Sequence, residues 1–211
     1  FRSEARLTIV GDLHGQLQDL LAILEFQGLP SPTNWYLFNG DFVDRGSHSI
    51  EVLWIIYVFK VMYPDYIWLN RGNHEHRLLN KRYKFERQVK MAYDERLYER
   101  VALSFDVLPL CTIINKDVFV VHGGLTEYSD LTLSDIEKIP FNREVPRDIF
   151  TKSDRIMKQL VWSDPWTAGE DREEPTIRTL GWAENSRGAG ILWAPSITMK
   201  FLERNRLRLI I

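Results

Sequence analysis

Four short apolar runs in this sequence each end in a polar segment that contains glycine. The runs "LTIV", "WYLF", "YIWL" and "VFVV" pass directly into "GDLHG", "NGDFVDRG", "NRGNHE" and "HGG". A short apolar run bounded by turn residues is typical of a buried strand. Helical patterns separate the runs: Leu17, Leu20, Leu21 and Leu24 form an apolar stripe, and residues 49–62 are apolar enough for a covered helix. Strands that alternate with helices predict an α/β fold.

The polar residues after these strands are the candidate functional residues. In α/β folds, ligands collect outside the carboxyl ends of the strands, because loops from several strands converge there. Two aspartates, two histidines and an asparagine occupy these positions: Asp12, His14, Asp41, Asn73 and His122. A mixed oxygen and nitrogen set suits Mn²⁺, Fe or Zn²⁺ better than Ca²⁺, which prefers oxygen ligands alone. Each segment taken singly is more often a turn, a helix cap or a loop hydrogen-bond pair than a metal site.

Composition narrows the class of protein. The chain has 211 residues, of which 45% are hydrophobic, so it can bury a sizeable core, and its net charge of −2 argues against a nucleic-acid partner. The longest apolar run, residues 52–59, is too short to span a bilayer. The single cysteine, Cys111, excludes an intrachain disulfide. Because the N-terminal residues also lack the order of a signal peptide, we expect a cytoplasmic or nuclear protein.

Three further expectations concern local structure. Apolar residues at every fourth position predict one helix over residues 84–103. Residues 163–190 lack periodicity and contain Pro, Gly and charged residues, which predicts a long ordered loop. The chain end predicts a helix followed by a strand over residues 207–211.

The four segments, in their order along the chain, resemble the signature of the phosphoprotein phosphatase family, the metal-dependent Ser/Thr phosphatases. The similarity runs through most of the chain, since "LVWSDP" (160–165) and "SRGAGILW" (186–193) also resemble family segments. The stretch "GLPSPTNWYLFNGDFVDRGS" is most similar to the branches that carry TPR or EF-hand modules outside the catalytic domain. The resemblance implies hydrolysis of phosphoserine and phosphothreonine esters in phosphoproteins, with possible regulatory domains or subunits as partners.

The resemblance also implies a fold and a metal site. The expected fold is that of the calcineurin-like metallophosphoesterases, a two-sheet β-sandwich flanked by helices and incomplete at its C-terminal end. Residues 1–211 are then expected to form a single catalytic domain of this kind that is truncated at both ends. The site holds two divalent metal ions, with Mn²⁺ expected first and Fe or Zn²⁺ as alternatives. By similarity, Asp12 and His14 bind the first ion, Asp41 bridges the two, and Asn73 and His122 bind the second.

The remaining roles carried over from the family concern the substrate. His74, with Asp44 behind it, is the expected general acid that protonates the leaving oxygen of Ser or Thr. Arg71 and Glu75, which flank this histidine and Asn73 in "NRGNHE", are expected to support them. Four residues are expected around the substrate: Arg45 and Arg187 at the phosphate, and Tyr83 and Trp162 near the groove.

The sequence departs from the family pattern at its end. A further His ligand of the second metal lies, in the family, in an Arg-Ser-His-Glu segment that would begin where this chain stops, at Ile211. Three explanations are open: a partial sequence, a processed fragment completed by another chain, or a natural and inactive truncation. We favour the first, because a single unfinished sheet has no obvious reason to be stable. Two alternative functions follow from the sequence, a dinucleoside polyphosphate hydrolase of the same superfamily and an inactive fragment that serves as a binding or regulatory scaffold.

Overall fold

A computed structural model of the chain describes residues 5–167 and 174–211. The chain divides into two compact units, Phe1–Pro109 and Leu110–Ile211. The expectation of one domain over residues 1–211 stays a prediction. Strands and helices alternate in the first unit and are mixed in the second, so the predicted α/β class is confirmed.

The described residues of the first unit, 5–109, form three strands and five helices, and the sheet is parallel. In chain order the elements are β1 (Arg6–Val10), α1 (Leu17–Gln27), β2 (Asn34–Phe38), α2 (Ser49–Met62), β3 (Ile67–Leu69), α3 (Arg77–Tyr83), α4 (Phe85–Ala92) and α5 (Glu95–Asp106). The strand order is β1-β2-β3. One apolar core fills this unit, and it includes side chains of the sheet such as Tyr36 and Phe38 and of the helices such as Leu20, Ile56 and Phe105.

The register of this sheet brings three of the polar loops to one level. Val10 pairs with Phe38, and Phe38 pairs with Leu69, so the three strands end side by side. Because the strands are parallel, the loops that begin at Gly11, Asn39 and Asn70 all leave from the same edge. The sheet therefore gathers "GDLHG", "NGDFVDRG" and "NRGNHE" at its carboxyl edge, as the sequence predicted.

The second unit contains two small sheets. Its elements are β4 (Cys111–Ile114), β5 (Val118–Val121), α6 (Leu133–Glu137), α7 (Lys152–Trp162), β6 (Asp164–Pro165), α8 (Glu174–Leu180), β7 (Trp182–Glu184), β8 (Ile191–Trp193), α9 (Pro195–Asn205) and β9 (Leu209–Ile210). The sheets have strand orders β4-β5-β9 and β6-β8-β7. The prediction named two sheets, whereas the strands of the described ranges group into three. A second apolar core includes Phe119, Met157, Leu160 and Phe201.

Two local predictions were wrong. The helix expected over 84–103 is two helices, because the backbone leaves the helical region at Tyr93 and Asp94 caps a new helix by accepting a hydrogen bond from the Leu97 amide. The loop expected over 163–190 contains the short strands β6 and β7 and helix α8. Residues 168–173 of that stretch lie outside the described ranges.

Helix α2 agrees with its prediction to the residue. Val52, Leu53 and Ile56 are buried in the core of the first unit, and Lys60 in the last turn complements the helix dipole. In the part of the chain that the structure describes, no helix combines the length and the apolar character that a membrane crossing requires.

Candidate active site

The turns after β1 and β2 hold four residues in a backbone conformation that L-amino acids rarely adopt. The φ angles are +42° at His14, +52° at Asp41, +70° at Asp44 and +64° at Arg45. The left-handed region costs a residue with a Cβ roughly 1–2 kcal/mol. Such residues persist only where the surrounding structure fixes them, and they cluster at functional sites. The strain therefore marks these two turns as the part of the first unit whose geometry is held by its neighbours.

Two glycines let the second and third loops meet. A Cβ built on Gly40 would overlap the backbone nitrogen of Gly72, and one built on Gly72 would overlap the backbone and the carboxylate of Asp41. Gly40 also has φ of +92°, which favours glycine. The two loops therefore lie in backbone contact, at a separation that no other residue permits.

His14 faces two carboxylates. Its Nε2 lies 3.4 Å from Asp41 Oδ2 and 3.7 Å from Asp12 Oδ2, and its Nδ1 lies 2.9 Å from the Val43 carbonyl oxygen. A carbonyl oxygen can only accept, so Nδ1–H donates to it and Nε2 is the ring nitrogen that faces the carboxylates. An imidazole nitrogen and carboxylate oxygens are the donor atoms that divalent transition metals take in proteins. These three side chains therefore fit a divalent metal ion.

His74 and Asp44 form a buried pair beside this cluster. His74 is 2% exposed and Asp44 is 0% exposed, and His74 Nδ1 lies 2.8 Å from Asp44 Oδ2. The His74 amide donates to Asp41 Oδ1 at 2.8 Å, so the histidine is tied to the carboxylate that faces His14. The His14 and His74 ring centroids are 4.6 Å apart. The pair is thus oriented and shielded from water next to the candidate metal ligands.

Asn80 holds this pair in place, and the sequence reasoning missed it. Its side chain is buried, and its Nδ2 donates to Asp44 Oδ2 at 3.1 Å and to the His74 carbonyl oxygen at 2.8 Å. The Phe85 amide donates to the other carboxylate oxygen of Asp44 at 3.3 Å. The signal in the sequence was faint, since an asparagine in the middle of a short helix is unfavourable there without a tertiary partner.

Glu75 joins the loops from within. Its side chain is 0% exposed and accepts hydrogen bonds from the amides of Asp41, Phe42 and Gly72, at 2.8 to 2.9 Å. Arg71, also buried, donates to the Glu75 carbonyl oxygen. The Glu75 carboxylate therefore holds the backbone of the loop after β2 and that of the loop after β3.

Arg45 and Tyr83 lie on the open side of His74. The Arg45 guanidinium is exposed. Its Nη2 atom lies 3.4 Å from His74 Nε2, and its central carbon lies 5.6 Å from the Tyr83 ring centroid. The Tyr83 and His74 ring centroids are 5.0 Å apart. A guanidinium can only donate, so Nε2 accepts from it in this arrangement. An exposed cation with free donor capacity beside the buried histidine is suited to binding a phosphate.

Two further candidate ligands follow strands in different units. Asn73 follows β3 in the first unit and is buried. His122 follows β5 in the second unit and is half-buried. Their placement directly after strands agrees with the pattern read from the sequence, and their roles as metal ligands stay predictions.

The predicted substrate residues of the second unit lie together. The Arg187 guanidinium carbon is 5.8 Å from the Trp162 ring centroid. The Nη2 atom of Arg187 donates to the Trp162 carbonyl oxygen at 3.1 Å and to Asp164 Oδ2 at 2.5 Å. Asn185 donates to the same Asp164 oxygen and accepts from the Arg187 amide. The carboxylate that orients Arg187 is thus Asp164, in the "WSDP" segment.

Comparison with known proteins bears on what this arrangement does. The family model described as calcineurin-like phosphoesterase matches residues 5–211. "Serine/threonine-protein phosphatase 5" of Rattus norvegicus is 43% identical over 206 residues, which cover 98% of this chain and 38% of the relative. "Serine/threonine-protein phosphatase T" of Schizosaccharomyces pombe is 39% identical over 211 residues, which cover all of this chain and 41% of the relative. The chain thus spans about two fifths of the length of these curated relatives.

A solved structure is also similar. A Saccharomyces cerevisiae protein serine/threonine phosphatase, described as similar to the human phosphatase PP5, matches with a TM-score of 0.86 and 40% identity, over 98% of this chain and 60% of that chain. The resemblance to the phosphoprotein phosphatases and the predicted calcineurin-like fold are both confirmed.

Proposed function

Since the chain belongs to the calcineurin-like phosphoesterase family, we propose that it hydrolyses phosphoserine and phosphothreonine esters in proteins. One observation carries the proposal: a buried His74–Asp44 pair stands beside the His14 imidazole, whose Nε2 faces two carboxylates. This combines a proton donor with a cation site, the two elements that hydrolysis of a phosphate monoester requires. The relatives named as serine/threonine phosphatases support this substrate class.

Divalent metal ions complete the site, and the family implies them. When bound, they neutralise the phosphate dianion and lower the pKa of a coordinated water toward about 7. Asp12, His14 and Asp41 would hold the first ion, and the assignments of Asn73 and His122 to a second ion are carried over from the family. We propose Mn²⁺, because aspartate, asparagine and histidine together form a mixed oxygen and nitrogen donor set without thiolates.

The chain's own residues position the phosphate and move the proton. When Arg45 turns its donors to the phosphate oxygens, it releases His74 Nε2, which can then carry the proton that the leaving alkoxide needs. Asp44 accepts from Nδ1–H and so stabilises the protonated ring and fixes its orientation. Tyr83 lines the exposed side of His74 and limits the access of water. The roles of Trp162 and Arg187, as substrate contact and second phosphate ligand, are carried over from the family.

The experiment compares substrates on one preparation. Purified chain with Mn²⁺ is given a phosphothreonine peptide and, separately, a dinucleoside tetraphosphate. We expect phosphate release from the peptide and none from the nucleotide, and chelation of the metal should abolish it. Cleavage of the nucleotide alone would replace the proposal with the alternative hydrolase. The absence of both activities, together with less than about one bound metal per chain, would support the scaffold alternative.

A further inference from the structure

Three exposed cations surround the end of α3. The segment 77–84, "RLLNKRYK", carries four basic residues and no acidic one, in a chain whose net charge is −2. Lys81, Arg82 and Lys84 are all exposed. They are called the basic rim below. A positive patch of this kind stands out against the nearly balanced charge of the whole chain.

Tyr83 connects the basic rim to the candidate active site. The Arg82 guanidinium carbon lies 5.5 Å from the Tyr83 ring centroid, and the Arg45 guanidinium carbon lies 5.6 Å from the same centroid. The Tyr83 ring is itself 5.0 Å from the His74 ring. Arg82 is therefore one aromatic ring away from His74. Lys81 and Lys84 directly flank this pair in the chain, where consecutive Cα atoms are about 3.8 Å apart.

The cations of the basic rim are not neutralised by the described part of the chain. Nearby basic residues have carboxylate partners: Lys90 pairs with Glu86 and Glu95, and Arg77 pairs with Asp106. Among the residues at 5–167 and 174–211, no carboxylate forms an ion pair with Lys81, Arg82 or Lys84. Their charge is therefore available to an anion outside the protein.

A purely structural explanation covers only part of the basic rim. Lys81 and Arg82 lie in the last turn of α3, where cations favour the helix dipole. Lys84 has φ of +80°, a conformation that disfavours any residue with a Cβ. A lysine at this position does not help the backbone. The dipole explanation thus predicts an effect on stability, whereas an interaction with ligand predicts an effect on binding.

We propose that the basic rim binds anionic groups beside the phosphorylated residue of the substrate. The inference rests on the proposed function, since it takes the phosphate held by Arg45 and His74 as the point of reference. Preferred substrates are then phosphopeptides with acidic side chains, or a second phosphate, close to the phosphoresidue. Attraction of this kind acts over about 8–10 Å at physiological salt, which covers the distance of one or two residues along an extended peptide.

The test uses four phosphothreonine peptides that differ only in their flanking residues: neutral, glutamate, phosphoserine and lysine. The variant Lys81→Gln with Arg82→Gln removes two charges of the basic rim. The matched control, Arg96→Gln with Arg100→Gln, removes two exposed charges from α5. A third variant, Lys84→Gly, removes the remaining charge and relieves the backbone, so its loss of preference cannot come from unfolding.

The first readout is kcat/KM for each peptide with Mn²⁺. We expect the glutamate and phosphoserine peptides to exceed the neutral one by about five- to tenfold, and the lysine peptide to fall below it. The preference should fall several-fold in the double variant and in Lys84→Gly, stay in the control, and shrink in 0.5 M salt. A higher rate for the phosphoserine peptide than for the glutamate peptide would identify a second phosphate as the favoured anion.

The second readout separates this inference from the proposed function. Peptides with a non-hydrolysable phosphonate are bound to the same variants and followed by fluorescence anisotropy, which needs no turnover. An inactive chain that still binds the acidic phosphonate peptides more tightly would keep the basic rim and reject the hydrolase. Equal affinities for acidic and neutral peptides, or a preference unchanged by Lys81→Gln with Arg82→Gln, would overturn the inference.

Discussion

The two units carry their predicted functional residues in opposite ways. In the first unit, Asp44 and His74 are almost fully buried, and Asn80 and Glu75 hold them and their loops through hydrogen bonds. In the second unit, the Arg187 side chain is 48% exposed and is held by an ion pair with Asp164 and by the Trp162 carbonyl. One set is fixed by burial, the other by surface contacts.

The difference has a physical consequence for what each set can do. A buried, hydrogen-bonded pair keeps its geometry without substrate, as proton transfer requires. An exposed arginine has side-chain freedom and can exchange Asp164 for a phosphate. Substitutions of the buried pair and of its supports should therefore change chemistry or folding, and substitution of Arg187 should change binding or have a small effect.

The largest expected effect is loss of the proton donor. His74→Asn should lower kcat on a phosphothreonine peptide by about 10²–10⁴-fold, the typical contribution of general acid catalysis. The loss should be smaller on p-nitrophenyl phosphate, since its leaving group is a weaker base that needs less protonation. Both rates are measured with saturating Mn²⁺, and metal content is followed alongside. Equal losses on the two substrates would indicate a defect in metal binding or folding. They would then give no support to a role of the buried pair in proton transfer.

The next prediction tests how much the buried hydrogen bonds of Glu75 contribute to the stability of the first unit. Glu75→Gln replaces a buried carboxylate that accepts three backbone hydrogen bonds with an amide, so that at least one backbone N–H faces an NH2 group. A buried donor left without its charged acceptor costs about 1–3 kcal/mol, so we expect a loss of that order in the free energy of unfolding. Urea denaturation measures it. The exposed Glu99→Gln serves as the control, and a loss no larger than its own would contradict the role of Glu75.

A smaller effect is expected in the second unit. Arg187→Lys keeps the positive charge but replaces the bidentate guanidinium with a single ammonium nitrogen, so one hydrogen bond to the phosphate should be lost. A hydrogen bond to a charged group contributes about 1.5 kcal/mol, so we expect kcat/KM to fall about tenfold. The effect should appear in KM more than in kcat, because the proposed role of Arg187 is to bind the phosphate and not to move a proton. Arg155→Lys, another arginine of this unit in an ion pair with Glu127, is the control. A fall in kcat without a rise in KM would indicate that Arg187, like His74, acts in the chemical step.

The smallest effect concerns Asp154, which forms a capping box with Thr151, the residue that caps α7. Hydrogen bonds from Arg143, Thr151 and nearby amides hold the pKa of Asp154 down at about 2. Because the folded pKa is depressed, the stability it adds is present above the unfolded value of about 3.9 and is lost as pH falls toward 2. The Tm difference between wild type and Asp154→Asn should therefore be largest above pH 5 and vanish near pH 2. Asp135 forms the equivalent capping box with Thr132 at the start of α6, but its pKa is not lowered by an arginine. The Tm difference between wild type and Asp135→Asn should therefore be smaller.

The sequence was informative where chemistry follows a strand. A short apolar run that ends in Gly and Asp must turn at the edge of a sheet, so Asp12, Asp41 and Asn73 could be placed from the pattern alone. Helix α2 could be placed because its apolar character is continuous and its ends are polar. These features depend on neighbours in the chain.

The sequence was less informative where a role depends on distant residues. Asn80 acts through Asp44, which is 36 positions away, and no local pattern signals such a contact. The break at Asp94 was missed because the apolar spacing continues through it, although its capping hydrogen bond decides the boundary. The elements of residues 163–190 are short, and their patterns are too brief to show a period.

The hydrogen bonds to Glu75 have a consequence for how the first unit opens. The amides of Asp41, Phe42 and Gly72 lie in loops, where backbone amides ordinarily exchange with solvent deuterium within a local fluctuation. Because they share one buried carboxylate, none can be released without desolvated charge being left behind. These loop amides should exchange as slowly as those of the parallel sheet, so that in exchange kinetics the carboxyl edge of the sheet and the core are one cooperative unit.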